Sequence, residues 1–128
     1  MGGVVRALVI EDEALVAFLV EDFLQAQGFR EIAVVATEAE AVSLAREFLP
    51  DLVTADARLA SGCGITAALS ICSEREVPVV FITGNEAQVR LRVAAPIIVE
   101  KPFFGEKLAA AIALARATPG VRPAATGR

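Results

Sequence analysis

The sequence predicts an α/β domain, a five-stranded parallel sheet doubly wound with helices on both faces. Three observations predict it. Short β-branched runs at residues 4–10, 32–36, 52–55, 77–82 and 96–99 alternate with longer stretches rich in Ala, Leu, Glu and Arg. The run Val77-Pro78-Val79-Val80-Phe81-Ile82 is apolar throughout, as a parallel strand covered on both faces must be. The 128 residues, 55% of them hydrophobic, suit one domain with its own core. Residues 1–117 are assigned to that domain and 118–128 to a flexible C-terminal tail.

Each helix has its own local signal. In the first, Leu15, Phe18, Leu19, Phe23 and Ala26 recur at steps of three and four and mark an expected buried stripe. Gly28 follows, where a left-handed C-terminal cap belongs. Thr37-Glu38-Ala39-Glu40 carries the Thr-x-x-Glu pattern of a capping box and starts the second helix. That helix must stop before Pro50, because the residue ahead of a proline is pushed out of the helical region. A third helix is expected over residues 65–74 and a short fourth over 86–93. The fifth, over 105–117, is almost solid Ala, Leu and Ile, and Thr118-Pro119-Gly120 ends it.

Composition excludes several classes of function. Twelve basic and 16 acidic residues leave a net charge of −4, a poor match for autonomous nucleic-acid binding. Without histidine there is no Ser-His or Cys-His nucleophile and little prospect of a zinc site. Apolar stretches are far shorter than the roughly 20 residues that span a bilayer. No secretion signal is evident at the N-terminus, and two cysteines make no disulfide framework, so a reducing cytoplasm is the expected compartment. Cys63 and Cys72 read as a loop residue and a small buried hydrophobe, and Arg90 and Arg92 as solvated.

Chemistry must then come from carboxylates, lysine and hydroxyls. Open α/β sheets bind ligands beyond the carboxyl ends of their strands. There the first strand delivers Glu11-Asp12-Glu13, the third Asp56, the fourth Thr83-Gly84 and the fifth Glu100-Lys101-Pro102. Two like charges about 4 Å apart cost on the order of 4 kcal/mol at an effective dielectric near 20, so converging carboxylates need a cation. All-oxygen ligands with room for water suit Mg²⁺. A divalent cation, a lysine and a hydroxyl around one carboxylate make a phosphoryl-transfer site, with Asp56 able to act as the nucleophile.

These pieces resemble the receiver domain of two-component response regulators. The resemblance rests on Val9-Ile10-Glu11-Asp12-Glu13, Asp51-Leu52-Val53-Thr54-Ala55-Asp56, Phe81-Ile82-Thr83-Gly84 and Lys101-Pro102-Phe103, and covers about residues 5–117. It implies a flavodoxin-like (βα)5 fold with strand order 2-1-3-4-5. It also implies that Asp56 is the phosphoacceptor, Asp12 a direct Mg²⁺ ligand, Glu11 an outer acidic position and the Arg58 carbonyl a further ligand. Thr83 matches the switch hydroxyl, Lys101 the lysine that pairs with the phosphoryl group, and Gly84 the small residue beside its path. The implied partners are a sensor histidine kinase or phosphotransfer protein and a downstream protein target, with neither nucleic acid nor membrane. Receivers often pair through the face of the last helix, so a homodimer stays open. By the same resemblance the Lys101–Pro102 bond is expected to be cis.

The Phe-x-Thr-Gly run is similar to that of a subgroup of stand-alone receivers, with Ile82 in place of the usual alanine. Ile98 stands where the usual switch aromatic lies, so an aromatic flip cannot be the readout, and residues 85–96 are expected to change instead. The loop after Asp56 carries Gly62 and Gly64 in place of the common proline and is expected to be more mobile. Two other readings remain: a Mg²⁺-dependent phosphohydrolase with an aspartate nucleophile, and a pseudo-receiver or phosphate sink. The first lacks the general acid usually found two residues after the nucleophile, where Arg58 stands.

Overall fold

In the computed structural model, which describes residues 5–103 and 105–125, strands and helices alternate throughout. The strands are β1 (Arg6–Ile10), β2 (Glu31–Val35), β3 (Leu52–Ala55), β4 (Val79–Thr83) and β5 (Ile98–Glu100). The helices are α1 (Ala14–Ala26), α2 (Glu38–Phe48), α3 (Gly64–Glu74), α4 (Glu86–Arg92) and α5 (Gly105–Ala117). The strands form one sheet in the order β2-β1-β3-β4-β5, and every neighbouring pair is parallel. Val4, expected in the first strand, lies outside the described residues.

Continuous apolar strands feed two cores at once. In β1, Leu8 and Ile10 pack with Val53, Phe81 and Ile65, on the side of α2 and α3. Ala7 and Val9 pack with Val20, Leu24, Leu108 and Ile112, on the side of α1 and α5. Successive side chains of a strand point to opposite faces, so both buried faces are apolar apart from Thr54 and Thr83.

Local signals hold where they depend on neighbours in sequence. The Thr37 hydroxyl accepts from the Glu40 amide at 3.2 Å, and the Glu40 carboxylate accepts from the Ala36 amide at 3.2 Å. Gly28 has φ +101°, and Phe29 N–H reaches back to the Leu24 carbonyl at 3.1 Å to close α1. The Lys101–Pro102 bond is cis.

Two expectations are corrected. The buried face of α1 is Ala17, Val20 and Leu24, while Leu15, Phe18 and Leu19 are exposed. Residues 14–20 are all apolar, so spacing fits more than one face, and the sheet selects the one whose small Ala17 lets the helix come close. The supposed tail is also not free over its described length. Gly120 N–H donates to the Val77 carbonyl at 2.9 Å, Ala94 N–H to Arg122 at 2.9 Å, and Ala124 N–H to Arg92 at 2.8 Å. Val121 packs against the α2/α3 core. Residues 118–124 thus strap the exit of α4, while 126–128 lie outside the described residues.

Candidate functional site

The carboxyl ends of β1, β3, β4 and β5 open on a cleft of about 390 Å³ lined by Asp12, Asp56, Arg58, Gly84, Asn85 and Lys101, among others. One carboxylate oxygen from each of Glu11, Asp12 and Asp56 lies within 4.8 Å of the other two. The parallel pairing of β1 with β3 causes this, setting Ile10 opposite Ala55, one residue before each acidic group.

Lys101 enters from the edge strand. Its Nζ lies 2.8 Å from Asp56, 3.0 Å from Glu11 and 2.7 Å from Glu13. Among the described residues Asp12 has no such cation; its carboxylate accepts from the Ala60 amide at 2.6 Å. Three carboxylates therefore share one ammonium, and a fourth, Asp12, lies beside them without one. Burial pushes the Glu11 carboxyl above its ordinary value and the Asp56 charge adds to this, while the Glu13 amide and Lys101 oppose it. Burial pulls the other way on Lys101, but hydrogen bonds to Asp56, Glu13 and Glu11 outweigh it and hold the ammonium firmly protonated. The cluster remains short of positive charge. Its all-oxygen donor set, half open to water, fits Mg²⁺.

Thr83 ends β4, fully buried, and its hydroxyl accepts from the Asn85 amide at 3.0 Å. Its carbonyl accepts from Lys101 N–H at 3.2 Å, tying the two site-bearing strands together. A Cβ at Gly84 would meet nothing within 4 Å, so the glycine leaves space at the cleft wall. Arg58 reaches across the mouth, its guanidinium 3.4 Å from the Asn85 side-chain oxygen.

The loop after Asp56 is held without proline. Besides the Asp12–Ala60 bond, Gly64 N–H donates to the Ala57 carbonyl at 3.0 Å, and Cys63 N–H to the Glu38 carboxylate at 2.9 Å. Hydrogen bonds supply the restraint that the sequence seemed to lack.

Arg92 is not simply solvated. It reaches Cys63 Sγ at 3.4 Å and the Thr66 hydroxyl at 3.0 Å, linking α4 to the first turn of α3. Burial raises the Cys63 thiol, but hydrogen bonds from the Thr66 and Ile65 amides and the Thr66 hydroxyl, with the charge of Arg92, bring it below its ordinary value. Sequence reasoning missed Glu38, Gly64, Asn85 and Arg92. Only Asn85, two positions after Thr83, carried a local signal.

The response regulator receiver domain family matches residues 7–113. The chain is a receiver domain. It is 36% identical over 114 residues to the transcriptional regulatory protein PdtaR of Mycobacterium tuberculosis, covering 86% of this chain and 56% of that one. The chain spans about half the length of several curated relatives it matches, PdtaR among them. The solution structure of the receiver domain of PhyR from Erythrobacter litoralis superposes with a TM-score of 0.83 at 30% identity, over 98% of each chain. The receiver domain of the sensor histidine kinase PA1611 of Pseudomonas aeruginosa, solved with magnesium in its active-site cleft, has a TM-score of 0.76 over 91% of this chain and all of that one. At 23% identity it speaks for the fold alone. Receivers are signalling modules and bind Mg²⁺ in an acidic pocket, and this receiver has the acidic cluster in that place. Among the described residues no helix is long and apolar enough to cross a membrane.

Proposed function

We propose that this receiver accepts a phosphoryl group onto Asp56 from a histidine kinase or phosphotransfer protein and signals through a change in its surface. The observation that carries the reading is Lys101 Nζ at 2.8 Å from Asp56, in a cleft shared with Glu11 and Asp12. Glu11, Asp12, Asp56 and the Arg58 carbonyl would hold Mg²⁺. When bound, the cation supplies charge neutralisation for the phosphoryl oxygens. An Asp56 carboxylate oxygen attacks phosphorus; the O–P bond forms, the donor's N–P bond breaks, and the imidazole leaves with the electron pair and takes a proton. Lys101, hydrogen-bonded to Asp56 at 2.8 Å, holds its carboxylate aimed, and Thr83 stands ready to turn its hydroxyl from the Asn85 amide to the new phosphoryl group. The exposed Leu15, Phe18 and Leu19 on α1, beginning just after Glu13, make an apolar patch beside the cleft and favour a protein as donor.

The test is treatment with acetyl phosphate. One phosphoryl group should appear on the peptide containing Asp56 with Mg²⁺ present, and none with EDTA. Labelling elsewhere, or labelling indifferent to EDTA, would refute the reading.

The output should travel through α4. Its seven residues include one buried side chain, Val89, and an isolated helix below about 12–15 residues is barely stable in water. Arg92, Val93 and the strap hold its exit, so the loosely held part is residues 86–91. Their amides should exchange fastest among the helices in the free protein and slow with Mg²⁺ and beryllofluoride. Protection already equal to that of β1 and β3 would contradict this route.

A further inference from the structure

The loop from Arg58 to Cys63 carries the proposed metal-ligand carbonyl and the Ala60 amide that orients Asp12, so something must fix the loop. Its inner end is held by Asp12 and by the Gly64–Ala57 bond. Its outer end is held from another element. The Glu38 carboxylate accepts from the Cys63 amide at 2.9 Å, and the Glu38 amide donates to the Ser61 carbonyl at 3.2 Å. Thr37 and Ser61 form a parallel bridge at the same point. Gly62 lies flat against the latch, with φ +83° and a Cβ that would sit 2.4 Å from that of Glu38.

An acidic residue in a first helical turn has an ordinary explanation, the helix dipole. The cap of α2 is nevertheless complete without this one, through Thr37 and Glu40. The Glu38 carboxylate is spent on the loop instead.

We propose that Glu38 is a positioning residue for the acidic cleft. By gripping Cys63 it sets the path of residues 58–62, and through the Ala60 amide the aim of the Asp12 carboxylate. This rests on the phosphoryl-transfer reading. Groups that orient metal ligands from behind typically cost tenfold or more in affinity when lost.

The experiment is a Mg²⁺ titration followed by the amide NMR shifts of Ala60 and Gly84, with acetyl phosphate labelling and thermal unfolding alongside. Glu38→Ala should raise the half-saturating Mg²⁺ about tenfold. Glu38→Gln, whose amide oxygen still accepts from Cys63, should restore it. Gly62→Ala, whose Cβ would press on the Glu38 side chain, should reproduce the loss with Glu38 itself still present. Glu40→Ala, which breaks the cap but not the latch, should lower the melting temperature and leave Mg²⁺ binding unchanged. Unchanged binding in Glu38→Ala, or equal weakening in Glu40→Ala, overturns the proposal. If the unaltered protein binds no Mg²⁺ at these amides, the phosphoryl-transfer reading fails instead. The latch is then decided in metal-free protein, where Glu38→Ala must speed amide exchange over residues 59–63 and Glu40→Ala must not.

Discussion

Asp56→Asn should reduce acetyl phosphate labelling to background and at the same time stabilise the metal-free fold. The first effect follows from chemistry. An amide is no nucleophile towards phosphorus, and no other strand-end carboxylate combines burial with Lys101 on one side and open cleft on the other. The second follows from charge. Asp56 attracts Lys101 at 2.8 Å but repels Glu11 and Asp12, which lie within the same 4.8 Å cluster. Lys101 keeps Glu11 and Glu13 as partners when Asp56 is neutral. One attraction is lost and two repulsions are relieved, a net gain on the order of 1 kcal/mol in a cleft open to water, which for a domain of this size is a rise in Tm of about 4 °C. The pH dependence changes too. Glu11 holds its proton more tightly folded than unfolded, so it destabilises the fold as pH rises from 4.5 through its raised folded value, and fully above that. Asp56 is one cause of the raised value, so the variant should lose less stability across that window. Labelling equal to the unaltered protein would sink the assignment of Asp56. A fall in Tm would sink the charge argument.

Much of this was legible because the signals were local or periodic. The Thr37–Glu40 cap, the αL turn at Gly28 and the stop before Pro50 each involve residues a few positions apart, and the backbone has little choice. The strand ends were legible for a different reason. Continuous apolar runs must be covered on both faces, so the first polar residue after each run marks the rim where ligands bind. That logic brought Glu11, Asp12, Asp56, Thr83 and Lys101 to one place before any coordinates. Strand order was not periodic information; it came only through resemblance.

What stayed hidden was decided by contacts distant in sequence. In α1, residues 14–20 are apolar all round, and only the sheet distinguishes Ala17 and Val20 from Leu15 and Phe18. The strap over α4 is made of backbone hydrogen bonds between residues 92–94 and 122–124, which leave no mark on side-chain chemistry. Glu38 touches Cys63 across 25 positions, and its place in a first helical turn already had a sufficient local explanation. Gly64 was read as loop freedom, and there the physical reason is the reverse of the expected one.

Gly64→Ala should destabilise the domain by about 3 kcal/mol, at the upper end of the usual cost of overpacking. Its backbone is not in the left-handed region, so the requirement is space, not conformation. A Cβ built there would lie 1.7 Å from the backbone carbonyl oxygen of Asp56 and 2.8 Å from its carbonyl carbon. Neither side can yield cheaply. Asp56 N–H is bound to the Ile10 carbonyl at 3.0 Å, and Gly64 N–H to the Ala57 carbonyl at 3.0 Å. Ala57 and Ile65 are buried in the core on either side, at 2% and 1% exposure, so the contact cannot be relieved by swinging α3 outward without opening that core. The strain therefore falls on Asp56, the proposed acceptor. Labelling at Asp56 should drop with stability, whereas Gly84→Ala, whose Cβ meets nothing within 4 Å, should unfold at the same urea concentration as the unaltered protein. Urea denaturation of the two variants decides the matter. A cost below about 1 kcal/mol for Gly64→Ala would mean that the turn from Asp56 into α3 gives way more easily than its hydrogen bonds imply.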